Sequence, residues 1–167
     1  MVSPIEIAAA MVAVAALLYA DSLLADQIDL PLFMAPLAAS LAIVFASPGM
    51  NLTRSWGVIG GQTASALIAV AVVWAVGTGH DGVIAAPIAL GLALVAMRVL
   101  GCMHPPACAT VMVIVFAPVS QTLAFVLFPV LAGSVFVVLI AWAVQVLEVR
   151  VPSRWGGRIT RDDAPRP

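Results

Sequence analysis

One stretch concentrates the residues that could do chemistry: Gly101-Cys-Met-His-Pro-Pro-Ala-Cys-Ala-Thr110. It holds one of the two histidines and both cysteines of the 167-residue chain. The His104 imidazole can donate a hydrogen bond to an anion, and it can titrate, its ordinary pKa being about 6.5. It can equally brace neighbouring backbone. Proline is accepted in a first helical turn, so a helix can follow Pro105 and Pro106. The residue before a proline is pushed to extended backbone. The stretch therefore predicts a break and then a helix start, with free N–H groups and about half a positive charge. That is the chemistry of an anion site.

Other polar residues could share it. Ser40 and Thr110 can present hydroxyls to a substrate or bond back to their own helices. The Gln62 amide can line a path or bond a neighbouring helix, and Gly60 and Gly61 let something approach closely. The substrate-binding set read from the sequence is His104, Pro105, Pro106, Ala107, Thr110, Pro36, Ser40, Gly60, Gly61 and Gln62. Arg98 reads as an interfacial anchor. Cys102, His104 and Cys108, with Met97, Met103 and Met112, also suit a soft metal such as copper(I). The same cysteines and methionines serve as apolar filler. No Ser-Lys pair, paired intramembrane aspartates or His-Glu-x-x-His motif is present, so neither an enzyme nor a cofactor is expected.

The elements that must position these residues are helices in a membrane. The chain is 63% hydrophobic and 9% charged, and its mean hydropathy is +1.16. That is far outside the soluble range and leaves no basic aromatic surface for nucleic acid. Six apolar segments follow one another: about Ile5–Ala25, Leu32–Ala46, Trp56–Gly77, Val83–Leu100, Pro105–Ala117 and Thr122–Val149. A spanning helix needs about 20 residues. The second and fifth segments are short, the second being roughly 22 Å against a hydrocarbon slab of roughly 30 Å. Gly57, Gly61 and Ser65 recur every four residues, a stripe that admits another helix or a second protomer.

All seven basic residues are arginines. With six crossings, Arg54, Arg98 and the tail from Arg150 fall on one side, and Asp26 and Asp81 on the other. The positive-inside rule then puts both termini in the cytoplasm, in a bacterial inner membrane. With segments two and five re-entrant, four spans would remain and Arg54 would change sides.

The chain also matches itself. Pro36-Leu-Ala-Ala-Ser40 aligns with Pro106-Ala-Cys-Ala-Thr110, and Pro48 with Pro118. Three spans per copy would make the second copy inverted. Inverted repeats with short helices point to a site near the bilayer midplane. The expected fold is an all-α membrane protein of six transmembrane helices in two inverted three-helix repeats, residues 1–78 and 79–149. A cytoplasmic tail, 150–167, follows.

These residues resemble the HPP family of integral membrane proteins. The match is His104-Pro105-Pro106 with Ala107, Ala109 and Thr110, and Val58-Ile-Gly-Gly61 with Ser65-Ala66. It extends from about Pro36 to Leu147. Plant and cyanobacterial members are associated with nitrite transport. The resemblance thus implies a transporter or channel for a small monovalent anion, nitrite above all. Two positions depart from the family pattern: Cys108 stands where glycine is usual, and Gln62 where histidine is frequent. Both bear on substrate and proton coupling. The competing readings are a soft-metal transporter and a non-transporting scaffold.

Overall fold

The computed structural model describes residues 35–46, 55–77, 82–117 and 122–150, with isolated helical positions between 8 and 19. The first apolar segment as a whole, the loop around Pro48, the His80-Asp81 turn and the tail lie outside the described residues.

Every described element is helical. They are α1 (Ala35–Ala46), α2 (Ser55–Val76), α3 (Gly82–Val99), α4 (Ala107–Phe116), α5 (Leu123–Phe125) and α6 (Ala132–Arg150), with a wide-turn segment, Val126–Leu131, joining the last two. Three stretches among the described residues are long and apolar enough to cross a membrane: Ser55–Val76, Gly82–Val99 and Leu123–Ala143. By contrast α1 has 12 residues and α4 has 10. They are about 18 and 15 Å long, too short to cross the hydrocarbon core alone.

Local chemistry sets the ends. α2 stops at Gly77, whose φ of 88° suits glycine, with its N–H on the Val73 carbonyl at 2.8 Å. α3 ends in a Schellman motif. Gly101 takes φ 64°, the Cys102 N–H reaches the Met97 carbonyl at 2.9 Å, and the Gly101 N–H reaches that of Arg98 at 3.3 Å. Cys102 packs on Met97, the apolar contact that commonly accompanies this motif. α5 opens on Thr122, whose hydroxyl accepts the Phe125 N–H at 3.2 Å.

The sixth segment departs from the continuous helix expected over Thr122–Val149. Phe128 is non-helical, at φ −121° and ψ 105°. Pro129 explains it: proline brings no N–H to the helix ladder and pushes the residue before it to extended geometry.

The long helices α2 and α3 pack on each other, and α4 packs against both. α1 packs against α6 and α4, and α6 also touches α2. The core is mostly aliphatic, with Leu37, Leu41, Val58, Val70 and Ile114 buried alongside the aromatic Phe125. Ile84, Ile88, Leu92, Val95 and Val99 are exposed on α3. Their spacing of three to four residues marks one apolar outer face, as a lipid-facing helix requires. Trp56 and Trp74, near opposite ends of α2, are exposed too, in keeping with interfacial anchors.

Candidate functional site

Four polar side chains meet inside this apolar body. Ser40 from α1, Gln62 from α2, His104 from the α3–α4 connection and Thr110 from α4 are each fully buried. The Gln62 amide nitrogen donates to Ser40 Oγ at 2.9 Å and to the Pro36 carbonyl at 3.3 Å. Thr110 donates its hydroxyl to Gln62 Oε1 through a short contact. Ser40 Oγ lies 2.7 Å from the Pro36 carbonyl and 2.8 Å from His104 Nε2.

The proton inventory is restrictive. Ser40 has one hydroxyl proton. If it goes to the Pro36 carbonyl, His104 Nε2 must carry a proton and donate to Ser40. If Ser40 instead donates to Nε2, the Pro36 carbonyl still keeps Gln62. Both arrangements satisfy these atoms; they differ in which imidazole nitrogen carries the proton and in the rotation of the Ser40 hydroxyl, with no heavy atom moved.

The backbone explains how His104 arrives there. The Schellman motif turns the chain sharply after Leu100. Gly61 then lets the connection lie against α2: a Cβ on Gly61 would stand 2.6 Å from His104 Cβ and 2.7 Å from the Cys102 carbonyl oxygen. Gly60 is tight as well, with Cys102 Cβ at 3.1 Å and the Trp56 ring at 3.3 Å. The Trp56 indole N–H closes the corner on the Leu100 carbonyl at 3.1 Å. Gly60 and Gly61 are therefore contact surfaces for the connection.

The start of α4 differs from the expected row of free donors. The N–H groups of Ala107, Cys108 and Ala109 bond the carbonyls of His104, Pro105 and Pro106 at 2.9, 3.0 and 3.0 Å. Proline has no N–H, so the His-Pro-Pro turn and these three bonds together close this helix end. An anion here would meet side-chain donors and the positive ends of helix dipoles instead of bare backbone amides.

Of the residues singled out from the sequence, Pro36, Ser40, Gln62, His104 and Thr110 form one bonded cluster. Gly61 lies against His104, Gly60 meets Cys102 and Trp56, and Ala107 is buried with Met97 and Cys102; Pro106 is buried in the turn while Pro105 is exposed. Arg98 is exposed at the end of α3. Cys102 is buried with Met97 and Ala107, and Met103 and Cys108 pack on that group. No group of three His, Cys, Asp or Glu able to hold a metal occurs among the described residues. An open apolar groove of about 590 Å³ lies between α2 and α3, lined by Ile68, Val72, Leu92 and Val99 among others; it is separate from the polar cluster. One buried hydroxyl, Ser65, enters the sequence reading as part of the small-residue stripe and of the family resemblance, and not as a site residue. Its signal is a polar residue one turn from Gln62.

Apolar spanning helices around a buried polar cluster define an integral membrane protein. The model of the family described as "HPP, transmembrane region" matches residues 2–153, and the chain belongs to that family. No curated protein and no solved structure matches it.

Proposed function

We propose that the protein transports a small monovalent anion, nitrite first among candidates, through the space where α1, α2 and α4 meet. One observation carries the reading: four buried polar side chains from different elements converge between the starts of two helices too short to span a membrane. Among the residues whose burial is described, which exclude 144–150, no charged side chain is buried. Hydroxyl, amide and imidazole donors with helix-dipole ends suit a weakly held anion that must also leave. Family membership supports a membrane role, and the resemblance to nitrite-transporting members supports this substrate.

Two features support an inverted repeat. Ser40 and Thr110, equivalent in the self-match, hold opposite ends of the one Gln62 amide. The short helix of each half also packs on the long third helix of the other: α4 on α2, and α1 on α6. A two-fold relation between halves would produce that crosswise packing. The arrangement proposed is six crossings with both termini in the cytoplasm of a bacterial inner membrane. The role is transport rather than catalysis, and nothing in the geometry favours the metal or scaffold readings over it.

The test is flux in proteoliposomes. The parent should pass nitrite faster than empty liposomes, and His104→Gln should lower that flux or remove its response to a pH gradient. Flux no greater than empty liposomes across a panel of small anions would overturn the reading. The His104 arm separates proton-linked transport, which needs a titrating relay, from passive flow.

A further inference from the structure

Among the fully buried serines and threonines described, Ser65 alone has a hydroxyl outside any hydrogen bond. Ser65 is fully buried, and its Oγ has no hydrogen-bond partner. A helical serine in an apolar setting ordinarily bonds the carbonyl four residues back. Ser40 does so to Pro36, and Ser134 to Val130 at 2.6 Å. Ser65 does not.

Its place in the helix gives that difference meaning. Ser65 follows Gly61 by four residues and Gln62 by three, so it shares their face of α2. Gly61 meets the His104 connection, and Gln62 belongs to the cluster. Ser65 therefore faces the same interhelical space, roughly 5 Å further along the axis. It stands midway along α2, Ser55–Val76, and so near the centre of a spanning helix. Interfacial water is farthest away there, and an unbonded donor is hardest to explain by packing alone. Thr63 Oγ1 is likewise buried and unbonded, but Thr63 lies about 200° around the helix from Gly61, away from the face that meets His104.

We propose that Ser65 is a further substrate-binding residue, its hydroxyl donating to an oxygen of the permeating anion at the midpoint of α2. The proposal rests on the anion-transport reading and adds a second station to it. The anion would be handed from the Ser40–Gln62–His104–Thr110 cluster to Ser65, one helical turn deeper.

Two variants of the full chain test it. In proteoliposomes, Ser65→Ala should lower nitrite flux about tenfold, the scale of one lost hydrogen bond to a charged group. Its thermal midpoint in detergent should stay at or above the parent's, since no existing bond is removed. In detergent, Ser65→Cys should react with a small water-borne thiol reagent, read at that position by peptide mass spectrometry, and added nitrite should slow the reaction. Protection needs no transport, so it reads binding even if the parent carries no flux. A folded Ser65→Ala with parental flux, or a Cys-substituted position 65 whose labelling ignores nitrite, overturns the proposal. A parent without flux overturns the transport reading instead.

Discussion

Gln62 touches both short helices with a single carboxamide. Its nitrogen serves Ser40 and Pro36 on α1, and its oxygen serves Thr110 on α4. Gln62→Leu would keep the approximate volume and remove every one of those bonds. Each buried group left without a partner costs about 1–3 kcal/mol. The expected outcome is a clear drop in thermal midpoint in detergent, larger than that of Thr110→Val, which leaves only the Gln62 oxygen unpaired. Equal stability of the two variants would mean that the amide is not the hub. Sequence reasoning marks each of these residues, but leaves Gln62 between pore and helix contact and Ser40 between substrate and its own helix. The structure shows Gln62 bonding a neighbouring helix. Ser40 does two things at once: it bonds its own helix and bridges to His104. Side-chain direction and partner distance decide such questions, and composition holds neither.

Between elements, close approach dominates. A Cβ on Gly61 meets backbone, the Cys102 carbonyl, which cannot swing aside as a side chain can. Gly61→Ala should therefore cost about 1–3 kcal/mol by overpacking and part the connection from α2. Gly91→Ala is the matched control: nothing lies within 4 Å, so the change should be neutral or mildly stabilising in a helix. Gly101→Ala also meets open space but sits at φ 64°. It should cost about 1 kcal/mol through left-handed strain, and Gly101→Asn should be tolerated better, since asparagine visits that region more readily. Thermal unfolding of the three alanine variants ranks them, and a ranking with Gly91→Ala worst would contradict this packing. At Gly133 the obstacle is Leu37 Cδ1, which the added carbon would overlap. Gly133→Ala should be rescued in part by Leu37→Ala, a coupling measurable in a double-mutant cycle.

Across the whole molecule, crossing number is the open consequence of the short helices. The six-crossing arrangement expects reporter fusions after residue 150 and near Arg54 to behave as cytoplasmic, and fusions in the His80-Asp81 turn as external. A fusion near Arg54 on the side opposite the tail would support two re-entrant segments and four spans instead. In both topologies α1 and α4 are too short to cross the hydrocarbon core as helix alone. Both also bury their starts together, because irregular backbone at membrane depth must be covered by protein or line a cavity.

The sequence by itself determined what repeats along one dimension. Hydropathy placed the described segments to within a few residues, because lipid demands long apolar runs with satisfied backbone. The His-Pro-Pro turn predicted where α4 begins, since proline constrains its own dihedral and its neighbour's. Pro129 carried a comparable signal, but a single proline inside an apolar run does not say how far the helix will bend. Only the tertiary structure decided which polar groups meet. Ser40 and His104 are 64 residues apart in the chain, yet 2.8 Å apart in space. It also decided that the first N–H groups of α4 turn back on the His-Pro-Pro carbonyls. Hydrogen bonds form between atoms at specific distances and angles, and that geometry exists only once helices from both halves of the chain have packed.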